Sequence, residues 1–360
     1  MARFSDVFLD ETKKGYKIHT SKYLREGKHP IVDQGKNKIA GYTNLEEGLF
    51  TNVPAIIFGD HTRIVKYIDV PFFLGADGVK ILKSKLSYTD YKYLFYCLAN
   101  AKIPNTGYNR HFKWLKAVEI PLPPMEEQKK IAAVLDKVSD LIAKRRRQLD
   151  KLDLLVKARF VEMFGDLTIN EKEWKFSPLS KLCDVRDGTH DSPAYTNSGY
   201  PLLTSKNFTS GIIDFTECNL ISKEDFDKIN QRSKVNVGDI IMPMIGTIGK
   251  PVIVNTERSF AIKNVALIKF TVSGVSNIFI KQILDSTYFK QIIFSANRGG
   301  TQKFIALGDI RKLPIPIVPI ELQNKFADFV VQTEHTKTSI SHSLEKLETL
   351  KKSLMQEYFG

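Results

Sequence analysis

Two segments of the chain carry hydrophobic residues at alternating spacings of three and four, the pattern of a helix that packs along another helix. The series runs through Leu135, Val138, Ile142, Arg145, Leu149, Leu152 and Val156 in the first segment and through Ile340, Leu344, Leu347, Leu350 and Leu354 in the second. A Pro-rich stretch precedes each segment and excludes helix there, so we expect helices to begin near Met125 and near Ile320. A helix of about 38 residues spans about 57 Å. The residues expected to form the interface between the helices, or with a partner, are Leu135, Ile142, Leu149, Leu152, Ile340, Leu344, Leu347 and Leu354.

The two segments are copies of one sequence. Residues 120–165 and 315–360 align without a gap and share 15 of 46 residues, where roughly three are expected by chance; such repeats decide how a chain is divided. Upstream, the residues that recur are Asn105, Gly107, Phe112 and Leu115, as Asn297, Gly299, Phe304 and Leu307. This match disfavours the alternative of two unrelated surface helices. We expect a first head at 1–119, a first helix segment at 120–165, a second head at 166–314 and a second helix segment at 315–360.

The two heads contain short apolar runs separated by Gly and polar turns, a pattern typical of β-strands. Predicted strands cover 55–58, 64–68 and 78–82 in the first head and 238–242, 251–254 and 265–270 in the second. A helix is predicted late in each head, at 88–99 and at 278–295. Each head is therefore expected to be α+β.

The path of the chain constrains how the long helices pair. The second head follows the C-terminal end of the first helix and precedes the N-terminal end of the second, and the termini of a compact domain usually lie close together. The helices must then run antiparallel, with Gly360 near Met1. The expected fold class is α+β, with two globular domains separated by a long antiparallel two-helix coiled coil in an internal pseudo-two-fold repeat, giving the molecule the form of a dumbbell.

Composition limits the possible classes. With 360 residues, 42% of them hydrophobic, the chain can form two or three domains. No apolar run approaches the ~18 residues that a membrane span needs, and the N-terminal residues lack the apolar core of a secretory signal. The three cysteines have no metal-ligand spacing, so we expect a reduced, cytoplasmic protein that contacts no membrane. The formal net charge of +13 makes a polyanion the leading partner.

Polar, Gly-containing turns in both heads carry side chains suited to DNA, since Arg and Lys recognise guanine, Asn and Gln recognise adenine, and Gly lets the backbone approach phosphate. The candidate DNA contacts of the first head are Lys36, Lys38, His61, Arg63, Asn105, Tyr108, Asn109 and Arg110. Those of the second head are Arg186, Thr189, His190, Lys206, Asn207, Asn297, Arg298, Thr301, Gln302 and Lys303. An ordinary polar loop is the competing interpretation for each of them. The stretch 297–303 is favoured because it lies where the two copies match.

Catalytic motifs are not found in the sequence. The stretch 246–251 has Pro251 where a phosphate-binding loop needs Ser or Thr, and the stretch 73–78 lacks the glycine order of a dinucleotide site. The histidines are scattered, and His190 is interpreted as a loop or DNA contact rather than as part of a hydrolytic triad. We therefore expect no catalytic residue, no metal site and no cofactor in this chain, and no enzymatic activity of the chain alone.

On these residues the sequence resembles the specificity subunits of Type I restriction–modification systems. The resemblance rests on the paired motif from Ile120-Pro121-Leu122-Pro123-Pro124 to Gln128, on the helix ending Met163-Phe164-Gly165, and on the stretches 174–185 and 239–249. It covers essentially the whole chain. It implies that 1–119 and 166–314 are target-recognition domains, each reading one half of a bipartite asymmetric site in double-stranded DNA, with the segments 120–165 and 315–360 as spacer helices.

The resemblance also implies the partners. Two methyltransferase (M) subunits are expected on the helices, and restriction (R) subunits complete an ATP-dependent endonuclease. S-adenosylmethionine, ATP and Mg²⁺ are then expected on the partner subunits.

Some alternatives stay open. The first head, with about 119 residues against about 149, lacks an opening like that at Trp174, so it is either a compact variant or preceded by further sequence. A coiled-coil scaffold without base-specific DNA reading is separated from the DNA reader by a gel shift at low salt. A self-contained DNA-modifying enzyme is tested by assaying the purified chain alone.

Overall fold

The computed structural model describes residues 1–75, 77–209, 211–244, 250–270, 274–296 and 305–360. Within these residues the chain divides into two compact units, of which unit 1 comprises Met1–Arg147 and Ile340–Gly360 and unit 2 comprises Gln148–Ser339. Each unit contains one head, the N-terminal half of one long helix and the C-terminal half of the other. The predicted domain boundaries stay predictions, because this division runs through the long helices. None of the helices so described combines the length and apolar character needed to cross a membrane.

The helices in chain order are α1 Phe4–Val7, α2 Tyr91–Ala99, α3 Phe112–Leu115, α4 Met125–Phe164, α5 Leu179–Leu182, α6 Lys223–Ser233, α7 Asn277–Leu284, α8 Thr287–Ala296, α9 Leu307–Lys312 and α10 Ile320–Phe359. The strands are β1 Ala2–Arg3, β2 Phe8–Asp10, β3 His29–Val32, β4 Gly41–Thr43, β5 Ala55–Gly59, β6 Val65–Ile68, β7 Phe73–Leu74, β8 Val79–Ser84, β9 Glu119–Ile120, β10 Phe176–Pro178, β11 Asp184–Asp187, β12 Tyr195–Thr196, β13 Tyr200–Leu203, β14 Asn219–Ile221, β15 Ile240–Pro243, β16 Val252–Ile253, β17 Ala261–Ile262, β18 Val265–Lys269 and β19 Pro314–Pro316. Single 3₁₀ turns occur at Thr12–Lys14, Thr20–Lys22 and Ser205–Phe208.

The helices α4 and α10 begin at the residues that the sequence indicated and are 40 residues long each. Glu126 and Glu127 lie in the first turn of α4, where carboxylates stabilise the positive end of the helix dipole. Just past the end of α4, Gly165 has φ +77°, and its backbone N–H donates to the carbonyl of Val161 at 2.7 Å. Glycine adopts this left-handed backbone without strain, so it terminates the helix. The predicted long helices are confirmed.

Within each unit the two long helices run antiparallel. In unit 1, residues near the start of α4 (Ile131, Leu135) and near the end of α10 (Leu354, Met355) contact the same core. In unit 2, Phe326 near the start of α10 contacts Phe164 at the end of α4, with ring centroids 5.5 Å apart. One ion pair joins the helices farther along in each unit, Arg146–Glu348 at 2.6 Å in unit 1 and Lys337–Asp153 at 2.8 Å in unit 2. The predicted antiparallel pairing is therefore confirmed inside each unit.

The main sheets of the two heads have the same topology, whereas the second sheet has three strands in the described part of the first head and four in that of the second. In the part of each head that the structure describes, a four-stranded sheet has the order β2-β8-β5-β6 in unit 1 and β11-β18-β15-β16 in unit 2. A second sheet contains a parallel pair, β3 with β7 in unit 1 and β13 with β17 in unit 2. A short antiparallel pair, β1 with β9 or β10 with β19, precedes each long helix. The internal repeat thus extends into the heads, where the sequences have diverged.

Each long helix belongs to the core of a head. The first-head core joins Ile56 and Leu82 of the central strands to Tyr93 of α2 and Leu135 of α4. The second-head core joins Ile268 to Phe279, Phe160 and Phe326 in the same way. Removing such large apolar side chains from water is the main stabilising term in folding. The heads are therefore anchored on the helices by packing rather than by loops alone.

One predicted element of the second head is wrong. The sequence suggested a single helix at 278–295, whereas the structure has α7 and α8 with a break at Asp285 and Ser286. The hydroxyl of Ser286 donates to the carbonyl of Ile283 at 2.6 Å and accepts from the N–H of Phe289 at 3.3 Å. Serine competes with helical hydrogen bonds in this way and caps the following helix.

Candidate nucleic-acid interface

In the first head, Gln34 holds three turns together. Its amide nitrogen donates to the carbonyl of Asp77 at 3.1 Å, and its amide oxygen accepts from the N–H of His61 at 3.2 Å. The backbone carbonyl of Gln34 accepts from the hydroxyl of Thr62 at 2.6 Å. The segment after β3, the β5–β6 turn and the turn before β8 therefore lie side by side.

Lys66 of β6 orders the segment that carries Lys36. Its ammonium is almost fully buried and donates to the carbonyls of Asp33 at 2.7 Å and Asn37 at 2.6 Å. Burial lowers the pKa of Lys66, and the nearby Asp33 carboxylate acts in the opposite direction. A buried charge is tolerated when hydrogen bonds replace water. This lysine therefore stabilises the conformation of the loop and is not available to a ligand.

A fourth segment, residues 101–111, is attached through His111. This side chain is fully buried. Its Nδ1 lies 2.9 Å from the carbonyl oxygen of Asp60, while the carboxylate of Asp60 accepts from the N–H of Phe112 at 2.7 Å. The ring of Tyr108 stacks on His61, with centroids 4.6 Å apart and planes 9° apart. Tyr108 is nevertheless 85% exposed, so the stack presents an aromatic face to solvent at the edge of the gathered loops.

The structure brings the candidate residues of the first head onto these gathered segments. The exposed ones are Lys36, Lys38, Asn105, Tyr108, Asn109 and Arg110. Lys38 forms an ion pair with Asp69 at 3.4 Å, a weak contact at an exposed site. Arg63 has φ +61° and donates to the carbonyl of Ile103 at 3.2 Å, which ties the β5–β6 turn to the fourth segment. We refer to the segments 33–40, 59–64, 77–79 and 101–111 as the first loop cluster.

The second head carries a corresponding arrangement around His190. The backbone of Thr189 donates to Ile262 at 3.0 Å, and Lys263 donates to Leu203 at 2.9 Å, so the segments after β11, β13 and β17 meet. Gly188 is required here, because a Cβ at this position would lie 2.4 Å from the carbonyl oxygen of Ile262. We refer to residues 188–193, 204–209 and 263–264 as the second loop cluster.

The imidazole of His190 faces oxygen atoms on both sides. Its Nδ1 lies 2.8 Å from Oδ1 of Asn264, and its Nε2 lies 2.8 Å from Oδ2 of Asp187. Two acceptors require two N–H donors, so the hydrogen bond with Asn264 and then the one with Asp187 raise the pKa of His190. The guanidinium of Arg232 pairs with the other oxygen of the buried Asp187 carboxylate. His190, Asp187 and Arg232 line a cavity of about 450 Å³ together with Asp225 and Lys228.

Among the other candidates of the second head, Asn207 is wrong as a DNA contact. It is 5% exposed, and its amide nitrogen donates to the carbonyls of Asp214 at 2.9 Å and Glu217 at 3.0 Å. Its amide oxygen accepts from the N–H of Thr204 at 2.9 Å. The side chain therefore closes a 3₁₀ turn and has no capacity left for a base. Lys206 on that turn is exposed.

The remaining candidates divide into two groups. The guanidinium of Arg186 donates to Asp184 at 2.8 Å and to the carbonyl of Arg232 at 2.6 Å, so part of its hydrogen-bonding capacity serves the fold. The candidates that lie outside the described residues are Asn297, Arg298, Thr301, Gln302 and Lys303. Their role in binding DNA stays a prediction.

The predicted helix-interface residues differ in burial. Leu135 and Ile142 are buried in unit 1, and Leu354 is partly buried against the first-head core. The half-buried members are Leu149 and Leu152 in unit 2 and Ile340, Leu344 and Leu347 in unit 1. Their role in partner binding stays a prediction.

Of the exposed leucines of the long helices, Leu155 was not predicted as an interface residue, and Leu350 was placed in the helix-packing series. Leu155 in unit 2 is 47% exposed, and its equivalent in the second copy, Leu350 in unit 1, is 46% exposed. The sequence signal that could have identified them as a pair was their equivalent position in the two copies of the repeat.

The comparisons with known proteins agree on one family. The family model for the Type I restriction modification DNA specificity domain matches residues 2–153 and 171–350. The chain belongs to this family.

Curated relatives have the corresponding names. The Type I restriction enzyme MjaVIII specificity subunit of Methanocaldococcus jannaschii is 24% identical over 97% of this chain and 86% of its own length. The EcoBI specificity subunit of Escherichia coli is 23% identical over 67% of this chain and 57% of its own length. The chain is thus a DNA specificity subunit of a Type I restriction–modification system, and its homologues are non-catalytic members of a complex.

Solved structures agree on the fold. The S subunit of a Type I restriction–modification system from M. genitalium has a TM-score of 0.64 at 16% identity, over 99% of this chain and 95% of that one. A chain from a study of complex assembly and conformational transition of the type I system has a TM-score of 0.57 at 16% identity, over 99% and 95%. Among the residues that the structure describes, no group of three His, Cys, Asp or Glu side chains is arranged to hold a metal ion.

Proposed function

We propose that each head of this specificity subunit reads one half of a bipartite asymmetric site in double-stranded DNA. The observation that carries the proposal is that the main sheets of the two heads have the same strand order, while the gathered loops carry different side chains. Sheets of the same strand order hold the loops in equivalent positions, while the different side chains on those loops select different bases. Two unlike half-sites follow from this combination.

In the first head, Arg110 and Tyr108 are the main candidates for base contact. Both are exposed, and the Tyr108 ring stacks on His61. Arginine makes two parallel hydrogen bonds to guanine in the major groove, and the Tyr108 stack supplies a rigid apolar face. Lys36 and Lys38 are assigned to phosphate, where the excess of positive charge, +13 for the chain, contributes most of the sequence-independent affinity.

In the second head, His190 and Lys206 are the described candidates, and Arg298 and Gln302 are candidates by sequence. His190 is 62% exposed at its side chain although both nitrogens are hydrogen-bonded. Its hydrogen bonds favour the protonated form, whose positive charge suits a phosphate contact. Lys206 lies on the turn that the buried Asn207 closes, so its position on the surface is fixed.

The test uses the subunit assembled with its methyltransferase partners and a randomised DNA library. Arg110→Ala is expected to make the first half-site degenerate at one position and to leave the second half-site unchanged, because a lost base contact costs about 1–3 kcal/mol. The matched control is Arg3→Ala, an exposed arginine of β1 that lies outside the first loop cluster. If Arg110→Ala changes the second half-site, or if neither half changes, the assignment is wrong.

We also propose that the long helices bind two methyltransferase subunits and that restriction subunits join this assembly. Leu155 and Leu350 occupy equivalent positions of the repeat and are equally exposed, as expected for two copies of one partner. The repetition of this exposed leucine on both helices supports one kind of protein contact that is made twice. S-adenosylmethionine, ATP and Mg²⁺ then belong to the partner subunits, and the cytoplasm is the expected location.

The docking proposal is tested by the stoichiometry of the assembly. Leu350→Asp is expected to weaken one of the two methyltransferase positions, so that a complex with one methyltransferase accumulates in mass photometry. Thr349→Asp introduces the same charge at the neighbouring residue and serves as the control. An undiminished two-methyltransferase complex with Leu350→Asp would contradict the docking assignment.

A further inference from the structure

Two glutamines of the repeated motif are buried where the long helices meet the heads. Gln128 is 0% exposed and Gln323 is 2% exposed, although glutamine is mostly found at protein surfaces. The two residues are equivalent in the ungapped repeat, and one lies in each unit. The proposed reading of DNA does not by itself explain why a polar side chain is buried at this position.

Both amides make the same hydrogen bonds. The amide nitrogen of Gln128 donates to the carbonyl of Pro123 at 2.8 Å, and that of Gln323 donates to the carbonyl of Val318 at 2.8 Å. The amide oxygen of Gln128 accepts from the N–H of Asp90 at 2.9 Å. That of Gln323 accepts from the N–H of Ser276 at 2.9 Å.

A weaker third contact is repeated as well. The amide nitrogen of Gln128 lies 3.3 Å from the carbonyl oxygen of Tyr88, and that of Gln323 lies 3.4 Å from the carbonyl oxygen of Gly274. Each amide therefore links the long helix, the extended segment before it and one segment of the head.

The head segment in each case is the start of a helix. Asp90 caps α2 by accepting from the N–H of Tyr93 at 2.8 Å, and Ser276 caps α7 through Phe279 at 3.5 Å. The capped helices in turn contact the other long helix, since Tyr93 lies 5.3 Å from Phe359 and Phe279 lies 4.8 Å from Phe164 between ring centroids. Each glutamine therefore makes its hydrogen bonds where one head helix contacts both long helices.

We propose that Gln128 and Gln323 are positioning residues that fix the angle of each head on its long helix and thereby set the number of base pairs between the two half-sites. Apolar packing is non-directional and permits small rotations, whereas a buried amide with three partners satisfies them in one orientation. The inference rests on the proposed function, because a spacer exists only if the two heads read separate half-sites.

The test measures spacer preference in the full complex with its methyltransferase and restriction partners. DNA libraries hold both half-sites fixed and vary the spacer by single base pairs, and methylation is read by sequencing. The wild-type complex is expected to modify one spacer length. Gln323→Leu and Gln128→Leu, which keep the side-chain size but remove every hydrogen bond, are expected to lose this single-spacer preference and to modify neighbouring lengths, with both half-site sequences unchanged.

The control is Gln332→Leu, the same substitution at an exposed position of α10, which should keep the wild-type spacer profile. A folded Gln323→Leu or Gln128→Leu complex with an unchanged spacer profile would overturn the inference. If the leucine variants do not fold, Gln323→Asn, which keeps the amide but is one methylene too short, must broaden the profile, and an unchanged profile or failure to fold overturns the positioning role. A wild-type complex that modifies DNA without half-site preference would instead refute the proposed function.

Discussion

The ring of Phe164 is a sensitive point of unit 2. It is fully buried, and ring centroids lie 4.8 Å away in Phe160, 4.8 Å in Phe279 and 5.5 Å in Phe326. These partners come from α4, from α7 and from α10, so one side chain joins both long helices to the head. Truncating a buried phenylalanine to alanine costs about 3–5 kcal/mol. This range corresponds to a loss of roughly 10² to 10⁴ in the folding equilibrium constant.

The chain provides a fluorescent reporter in each unit for this test. Trp174 lies in unit 2 and donates its indole N–H to the carbonyl of Phe164 at 2.8 Å, while Trp114 lies in unit 1. Urea unfolding of Phe164→Ala, followed through Trp174 in a Trp114→Phe background, should show the whole decrease of about 3–5 kcal/mol in the free energy of unfolding. In the reciprocal Trp174→Phe background, Trp114 should report a smaller loss.

The matched substitution is Phe359→Ala, the equivalent position of the second copy. Phe359 is only partly buried and contacts Tyr93 at 5.3 Å, so it should cost about half as much or less, since the cost scales with the apolar area buried. A loss below about 1 kcal/mol for Phe164→Ala, typical of a surface position, would refute the reasoning. So would equal losses at Trp174 and Trp114.

Three further predictions concern DNA binding and the loop that carries His190. Affinity for non-specific duplex DNA should fall steeply with salt: the logarithm of the binding constant should decrease against the logarithm of the salt concentration with a slope of about −0.9 for each phosphate contact. An affinity that does not change between low and physiological salt would refute a phosphate-binding role for the basic surface. The pKa of His190 is raised by its hydrogen bonds to Asn264 and Asp187. The contribution of His190 to stability is therefore fully present below the pKa of the unfolded chain and is lost as pH rises through the folded-state pKa. An NMR titration of the imidazole measures that pKa, and an unraised value would contradict the prediction. From the sequence, Arg298→Ala or Gln302→Ala should make only the second half-site degenerate, as sequencing of the methylated motifs would show. Lys303→Ala should instead weaken binding to all sequences alike. An unchanged second half-site in both Arg298→Ala and Gln302→Ala would exclude the stretch 297–303 from base reading.

The long helices and the central strands were predictable because their signals are local. Pro residues fixed the helix starts at Met125 and Ile320, and continuous apolar runs marked β5 and β18, which are buried along their whole length. Antiparallel pairing followed from the chain path and needed no knowledge of side-chain contacts. The common sheet order of the heads was not predictable, because an alternation of apolar and polar residues does not specify which strands are neighbours.

The candidate site was predicted less well than the fold. Asn207 and Lys206 are adjacent polar residues of one turn, and nothing local distinguishes the amide that is buried from the ammonium that is exposed. The break at Ser286 likewise depends on one hydroxyl in a run that is otherwise helical. Gln128 and Gln323 lay inside the repeated motif, but only the tertiary fold places Asp90 and Ser276 against them. Residues whose partners are distant in sequence escape pattern-based analysis.

The central claim, that two heads read two halves of one site, is tested most directly by mapping methylated bases genome-wide in cells that carry this subunit with its partner subunits. The account predicts one asymmetric motif made of two different half-sites separated by an unspecified spacer of constant length. It also predicts that exchanging the first loop cluster changes only one half. A continuous motif, two identical halves, or a change in both halves after that exchange would contradict the account.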